Sequence, residues 1–361
     1  MSLHQVARAC KALHHTFVDR SSARVTLKDI ARLAGVHPAT ASRALDPARG
    51  DMLTPETRDR VRRVAQEAGY QVNSFARSLR KNSSGMVGVV VADVANPFLP
   101  PILRGIEQII RAEQKLLLIA ETHDDGSTLL EIIDHFVARR VDAVILSAAH
   151  LGDEHAVASL AEKIPVVLAV RSVGSARFPT ITHDDVLGGQ LAAEHLVSLG
   201  HRDLAQLRGP MDVSSFRGRE QGFAAVMSTT TALERFVDQS ATAPTVEEGR
   251  RLAKAILDTP GRHPTAFFAH NDLMAVGALE ALRDRGLTCP RDISIVGYND
   301  APLSNHVNPP LTTVRLPSLE LGRRVATLAL AVIAGSPTEP TIEKLPPELV
   351  IRQSTAAPSH P

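Results

Sequence analysis

Residues 25–45 read Val25-Thr26-Leu27-Lys28-Asp29-Ile30-Ala31-Arg32-Leu33-Ala34-Gly35-Val36-His37-Pro38-Ala39-Thr40-Ala41-Ser42-Arg43-Ala44-Leu45. The stretch from Thr26 to Ala34 reads as a short helix that stops at Gly35, a residue suited to a tight turn between helices. A second helix starts at Pro38, where the ring costs no hydrogen bond, and runs through Arg43 to Leu45. Thr54-Pro55-Glu56 repeats the start signal as N-cap, proline and first-turn acid, and that helix runs to Ala68 and stops at Gly69. Three short helices with a glycine turn between the first two, and no convincing strand, predict a helix-turn-helix domain. Beyond it, Asn73 to Lys81 reads as a fourth, isolated helix that would be marginal alone, and Asn82-Ser83-Ser84-Gly85 reads as a linker.

Charge is divided along the chain. Residues 1–85 hold 15 Lys and Arg against 7 Asp and Glu, leaving 25 against 32 for the remainder of a 361-residue chain whose net charge is +1. A basic segment on an acidic body suits phosphate neutralisation, which releases condensed counterions, so nucleic acid is favoured over a merely solvated helical face. The chain is long enough for two or three domains. No apolar run reaches the roughly 18 residues of a membrane span, and residues 1–24 lack the apolar region of a secretory signal. Cys10 and Cys289 are too few and too far apart for a disulfide framework or a metal cluster, so a reducing cytoplasm is expected. The 15 histidines form no tight ligand motif, and neither metal nor cofactor is expected.

From Met86 onward, apolar runs of strand length alternate with amphipathic stretches. Val87 to Ala92, Lys115 to Ala120, Ala143 to Leu146 and Pro165 to Val170 read as buried parallel strands, with helices over Ile102 to Ala112, Leu129 to Ala138 and Ala156 to Ala161. A second series follows: helices over Gly188 to Leu199, Gly218 to Met227, Val246 to Leu257 and Leu273 to Arg283 accompany strands at Leu204 to Leu207, Ala266 to Ala269 and Ile293 to Val296. Two such series predict two doubly wound α/β subdomains with a ligand cleft at the carboxyl ends of their strands. A last helix, Leu319 to Ala334, precedes a short extended segment at Glu348 to Ile351, and the tail 353–361 is expected to be disordered. No GxSxG, GxxxxGK[ST] or GxGxxG motif occurs where such chemistry needs it, so an enzyme is not expected.

The ordered set of motifs resembles the lactose-repressor (LacI/GalR) family of transcriptional regulators. The resemblance begins with Val25 to Val36 and Ala39 to Leu45, and continues through Gly69-Tyr70, Asn73, Ala76 to Leu79, Asp93 to Phe98 and Arg104 to Glu107. It extends through His195-Leu196, Gly200-His201, Arg219 to Phe223, Asn271 to Ala275, Gly297 to Asp300 and Pro310 to Val314. It implies a helix-turn-helix DNA-binding domain over 25–72, a hinge helix and linker over 73–85, and an effector-binding and dimerisation core over 86–352 like periplasmic sugar-binding proteins. Subdomain one is expected over 86–184 and 312–340, and subdomain two over 185–311 and 341–352. Residues 1–24 form an extension before the usual family start, and a downstream Val18 or Val25 codon is an alternative start. The functional unit implied is a cytoplasmic, nucleoid-associated bacterial homodimer on palindromic operator DNA, with no membrane partner. The tail lacks the leucine heptads of family tetramers.

A recognition helix reads bases with the side chains near its N-terminus, here Pro38, Ala39 and, one turn on, Arg43. Pro38 and Ala39 offer only apolar contact, so Arg43 is the candidate for bidentate recognition of guanine, with a phosphate contact or a surface salt bridge as the alternative. Thr40 and Ser42 are sized for phosphates, and Thr26 joins the expected DNA-contacting set. By resemblance, Asn73, Ala76 and Leu79 belong to the hinge, with Leu79 wedged into the minor groove. Val72 stands where many members have proline, which leaves the hinge less preorganised.

Also by resemblance, Asn96, Phe98, Asp184, Arg219, Asn271 and Asn299 correspond to effector-contacting positions. A guanidinium fork at Arg219 can hold paired hydroxyls or a carboxylate, and the alternative is a buried structural ion pair. Asn299 stands where many members have Asp, and Pro244 where an aromatic often stacks. Without tryptophan, Phe98 and Phe216 are the remaining stacking candidates. The resemblance implies a repressor of carbohydrate-utilisation genes released by a small sugar or sugar phosphate. A purine- or nucleoside-responsive co-repressed regulator is the alternative, and a sugar-binding receptor is disfavoured by the basic headpiece.

Overall fold

The computed structural model describes residues 25–46, 52–70, 83–235, 240–261, 263–336 and 341–359. The chain divides into two compact units, 1–81 and 82–361.

In the first unit, α1 (Leu27–Leu33), α2 (Pro38–Ala44) and α3 (Pro55–Glu67) form the expected three helices. Thr26 starts α1 through a reciprocal capping box. Its backbone N–H donates to Asp29 Oδ2 at 3.0 Å, and the Asp29 N–H donates weakly back to Thr26 Oγ1 at 3.4 Å. Gly35 takes φ +65°, where a side chain would be strained, and turns the chain into α2. His37 caps α2, its Nδ1 accepting from the Ala39 N–H at 3.2 Å, and Pro38 occupies the first turn. Ile30, Ala31, Ala34, Ala41, Ala44, Val61 and Ala65 make a small buried core.

The second unit holds two six-stranded sheets. Sheet one is built from β1 (Met86–Val91), β2 (Leu116–Glu121), β3 (Ala143–Leu146), β4 (Val166–Ala169), β5 (Thr180–His183) and β11 (Ile342–Leu345), in the order β11-β5-β4-β3-β1-β2. Sheet two is built from β6 (Asp203–Leu207), β7 (Leu233–Arg235), β8 (Ala266–Ala269), β9 (Ser294–Asn299), β10 (Thr312–Arg315) and β12 (Glu348–Val350), in the order β12-β10-β9-β8-β6-β7. Every pairing is parallel except β10 with β12. Helices α4 (Leu99–Ala112), α5 (Gly126–Ala138), α6 (Glu154–Ala161) and α11 (Ser318–Ile333) go with sheet one. Helices α7 (Asp185–Ser198), α8 (Ser214–Met227), α9 (Val246–Asp258) and α10 (Asp272–Asp284) go with sheet two. Each sheet buries apolar side chains on both faces, which is why its central strands read as apolar runs, whereas β2, expected as a buried strand, lies at the edge of sheet one with Leu116 and Ile119 exposed.

Two expectations need correction. The boundaries between subdomains fall elsewhere: β10 pairs with β9, so 312–315 belongs to subdomain two, and β11 pairs with β5, so 342–345 belongs to subdomain one. The chain therefore crosses after β5, between β10 and α11, and between β11 and β12. The tail is ordered through residue 359. Ser354 is fully buried, its hydroxyl donating to Ile295 O at 2.6 Å and accepting from the Thr312 N–H at 2.7 Å. His195 Nε2 meets Thr355 Oγ1 at 3.0 Å and His201 Nε2 meets Ala356 O at 2.9 Å. Polar bonds hold this strap, and a search for apolar pattern is blind to them.

Candidate DNA-reading face and effector cleft

Helix α2 buries Ala41 and Ala44 and turns its other face outward, leaving Ala39 and Arg43 exposed and Pro38, Thr40 and Ser42 half-buried. Ala39 and Arg43 lie one turn apart on one side, and Arg43 pairs with no carboxylate among the described residues. Thr26 is engaged in capping α1, its hydroxyl 2.6 Å from Asp29 Oδ2. The helix thus presents one guanidinium beside an apolar patch, a combination that can pair guanine and touch a thymine methyl. The hinge candidates Asn73, Ala76 and Leu79 lie outside the described residues.

In the second unit, the carboxyl ends of both sheets face a cleft, and backbone strain gathers there. His123, Asp124, Val170, Asn299 and Asp300 all follow or end strands with positive φ. Val170 is the sharpest case, a β-branched side chain at φ +67°. A cavity of about 380 Å³ is lined from both subdomains, by Phe98 and Pro101 on one side, Asn299 and Ala301 on the other, and Leu316 and Ser318 at the crossing. Of the six effector candidates, the cavity brings together Phe98 and Asn299. Asn96 holds the turn in front of α4, its Oδ1 accepting from the Phe98 N–H at 3.1 Å. Asp184 caps α7 by accepting from the Leu187 N–H at 3.2 Å. Asn271 caps α10, accepting from the Met274 N–H and donating to Pro244 O, both at 2.8 Å.

Arg219 is 4% exposed, and its Nε donates to Asp185 Oδ1 at 2.9 Å while Nη1 donates to His270 O. The guanidinium lies 3.8 Å over the Tyr298 ring and 4.9 Å from that of Phe216. Burial pushes the Asp185 carboxyl up, and the facing guanidinium opposes that shift. The pair is the structural ion pair that the sequence left open as an alternative. Phe216 stacks on His270 at 6.2 Å.

His183, at the end of β5, was not among the candidates. Its ring meets Phe98 edge-on at 5.8 Å, and burial, with the Arg219 charge, lowers its pKa to about 3. The imidazole is therefore neutral, and its Nε2 is buried without a protein partner, as is Asn299 Oδ1. Buried polar atoms without partners call for an occupant. Thr180-Ile181-Thr182-His183 carries no apolar run and no motif, so nothing in the sequence marks the residue.

These two parts define a class: a helix-turn-helix unit joined to a two-subdomain core with a cleft suited to a small molecule. The chain matches "Bacterial regulatory proteins, lacI family" over residues 26–73 and "Periplasmic binding protein-like domain" over 193–355. It is 31% identical over 336 residues to the HTH-type transcriptional repressor CytR of Escherichia coli K12, covering 92% of this chain and 96% of that one. The lac repressor dimer bound to operator and the anti-inducer ONPF superposes with a TM-score of 0.82 at 27% identity, covering 92% of this chain and 99% of that one. A LacI family regulator from Enterococcus faecium with bound ribose superposes at 0.67 and 27% identity, covering 75% and 99%. The chain belongs to the LacI family of transcriptional regulators and is not an enzyme. No helix among the described residues is long and apolar enough to cross a membrane.

Proposed function

We propose that the protein acts as a homodimeric repressor on a palindromic operator and is released by an uncharged small sugar that closes the cleft. The observation that carries this reading is two buried, unpartnered atoms, His183 Nε2, on a ring that meets Phe98, and Asn299 Oδ1, on a residue that lines the cavity with Phe98. A neutral imidazole and an amide oxygen suit hydroxyl groups, which donate and accept, whereas Asn299 Oδ1 would face the oxygens of a phosphate as a second acceptor. Arg219 is held in the core by His270 O and the Tyr298 ring, and Phe98 supplies an aromatic edge to the cavity. The DNA-facing set is Pro38, Ala39, Thr40, Ser42 and Arg43, with Asn73, Ala76 and Leu79 contributed by the hinge. The aromatic Phe98–His183 pair also favours a second reading, a planar nucleoside base as effector.

The test is a thermal-shift screen of D-ribose, cellobiose, xylulose, adenosine and cytidine, since a ligand that binds the native state raises its stability by mass action. Operator binding is then titrated with and without each hit. A pentose or disaccharide that raises the melting temperature and weakens operator binding is the expected result. A nucleoside that strengthens operator binding would replace the first reading by the second.

A further inference from the structure

The two subdomains also touch away from the cavity, at a cluster of charged groups. His150 follows β3 in subdomain one. Its Nε2 lies 2.9 Å from Asp124 Oδ1 and its Nδ1 lies 3.4 Å from Asp212 Oδ2, and Asp212 precedes α8 in subdomain two. Arg171 shares Asp124 at 2.6 Å, and Asp153, on the loop that carries His150, accepts the His150 backbone N–H at 2.8 Å. Two backbone bonds cross at the same place. The Leu151 N–H donates to Asp212 O at 2.9 Å, and the Ser172 N–H donates to Ser214 Oγ at 2.8 Å.

We propose that His150 and Asp212 form a proton-dependent latch across the cleft mouth, which regulates how far the two subdomains close. Its meaning for effector response rests on the function proposed above, while its existence does not. An imidazolium donates from both nitrogens and so bridges Asp124 and Asp212 together. A neutral ring has one proton, which stays on Nε2 at the shorter contact, and leaves the Nδ1 lone pair facing a carboxylate.

Asp124, Arg171 and Asp153 travel with His150 in subdomain one and act on it whether the cleft is open or closed. Asp212 alone of these charges arrives on closing. Closure therefore raises the affinity of His150 for its proton, and by linkage a falling pH favours closure. The direction agrees with the raised pKa of His150, whose leading cause is its bond to Asp124, with burial opposing and Asp212 adding to it. The Asp212 side chain is 63% exposed, so the coupling is that of an exposed ion pair, about two- to fivefold in the closed-to-open ratio.

Hydrogen exchange of the full chain, without DNA or effector, reads the latch directly at the amides of Leu151 and Ser172. After correction for intrinsic exchange, their protection should fall about two- to fivefold as the pH rises from about 6 to about 8 and His150 loses its proton. The Ser147 amide, bonded to Val90 O within subdomain one, serves as the unaffected control. Asp212→Asn, a conservative change at an exposed site, should remove the pH dependence, and His150→Gln should do the same. Protection independent of pH in the unaltered chain, or an unchanged dependence in Asp212→Asn, overturns the latch. Failure to bind any operator would instead overturn the functional reading and leave the exchange result standing.

Discussion

Arg219 and Asp185 are both almost wholly buried, so each depends on the other for its charge. Removing the guanidinium leaves a carboxylate inside the protein without its counter-ion, which typically costs about 3–5 kcal/mol. Arg219→Ala is therefore expected to lower the stability of the core by that order in urea unfolding. Adding Asp185→Ala should recover part of the loss, and strictly additive losses in the double-mutant cycle would contradict the pairing. Arg43 has a different dependence, since it is exposed and has no acidic partner among the described residues. Arg43→Ala should leave stability nearly unchanged and relax discrimination at one symmetric base pair, at about 1–3 kcal/mol for each lost bidentate contact. Equal weakening on every DNA sequence would make Arg43 a phosphate contact.

Helices α4 and α11 cross where each carries a glycine. A Cβ at Gly105 would lie 2.3 Å from Leu319 O, and one at Gly322 would lie 2.1 Å from Ile102 O. Both obstacles are backbone, so neither helix can give way by a rotamer change. Gly105→Ala should cost about 1–3 kcal/mol through overpacking, read as a fall in the melting temperature, whereas Gly126→Ala, with open space around it, should not. Such crossings join segments more than two hundred residues apart, which explains what the sequence could and could not reveal. The runs Val87 to Val91, Ala143 to Leu146 and Val166 to Ala169 are buried on both faces and legible as strands. Strands β5 and β10 bury Thr180, Thr182, His183, Thr312 and Thr313, so their chemistry disguises them. The same limit applies to the cleft. Phe98 and Asn299 were legible by resemblance. The isolation of His183 Nε2 and the engagement of Arg219 by Asp185 exist only once distant elements meet.

Across the whole molecule, buried histidines set the response to acid. Burial lowers the pKa of His183, His195, His201 and His270, most strongly at His270, while His183 reaches about 3. Each holds a proton less tightly in the fold than in the unfolded chain, so below the ordinary value of 6.5 the unfolded chain binds more protons and stability falls as pH drops. Each such group contributes a slope of up to about 1.4 kcal/mol per pH unit. Four groups act in the opposite direction, the carboxyls of Asp272, Asp185 and Glu234, all raised by burial, and His150. Asp272 is raised to about 6 by burial, so between 3.8 and about 6 the fold holds its proton more tightly and stability rises as pH falls. His150 is raised as well, and its contribution is complete below 6.5 and lost as pH climbs through its folded value. Calorimetry of the core between about pH 6.5 and pH 5 therefore reads a slope to which His183 and His270, the most strongly depressed, contribute a fall in stability. His183→Phe fills the same space without a titrating nitrogen and should make that slope shallower by up to about one proton's worth. An identical slope in His183→Phe would mean that the fold does not lower the imidazole's pKa, and the neutral imidazole assigned to the cleft would be lost.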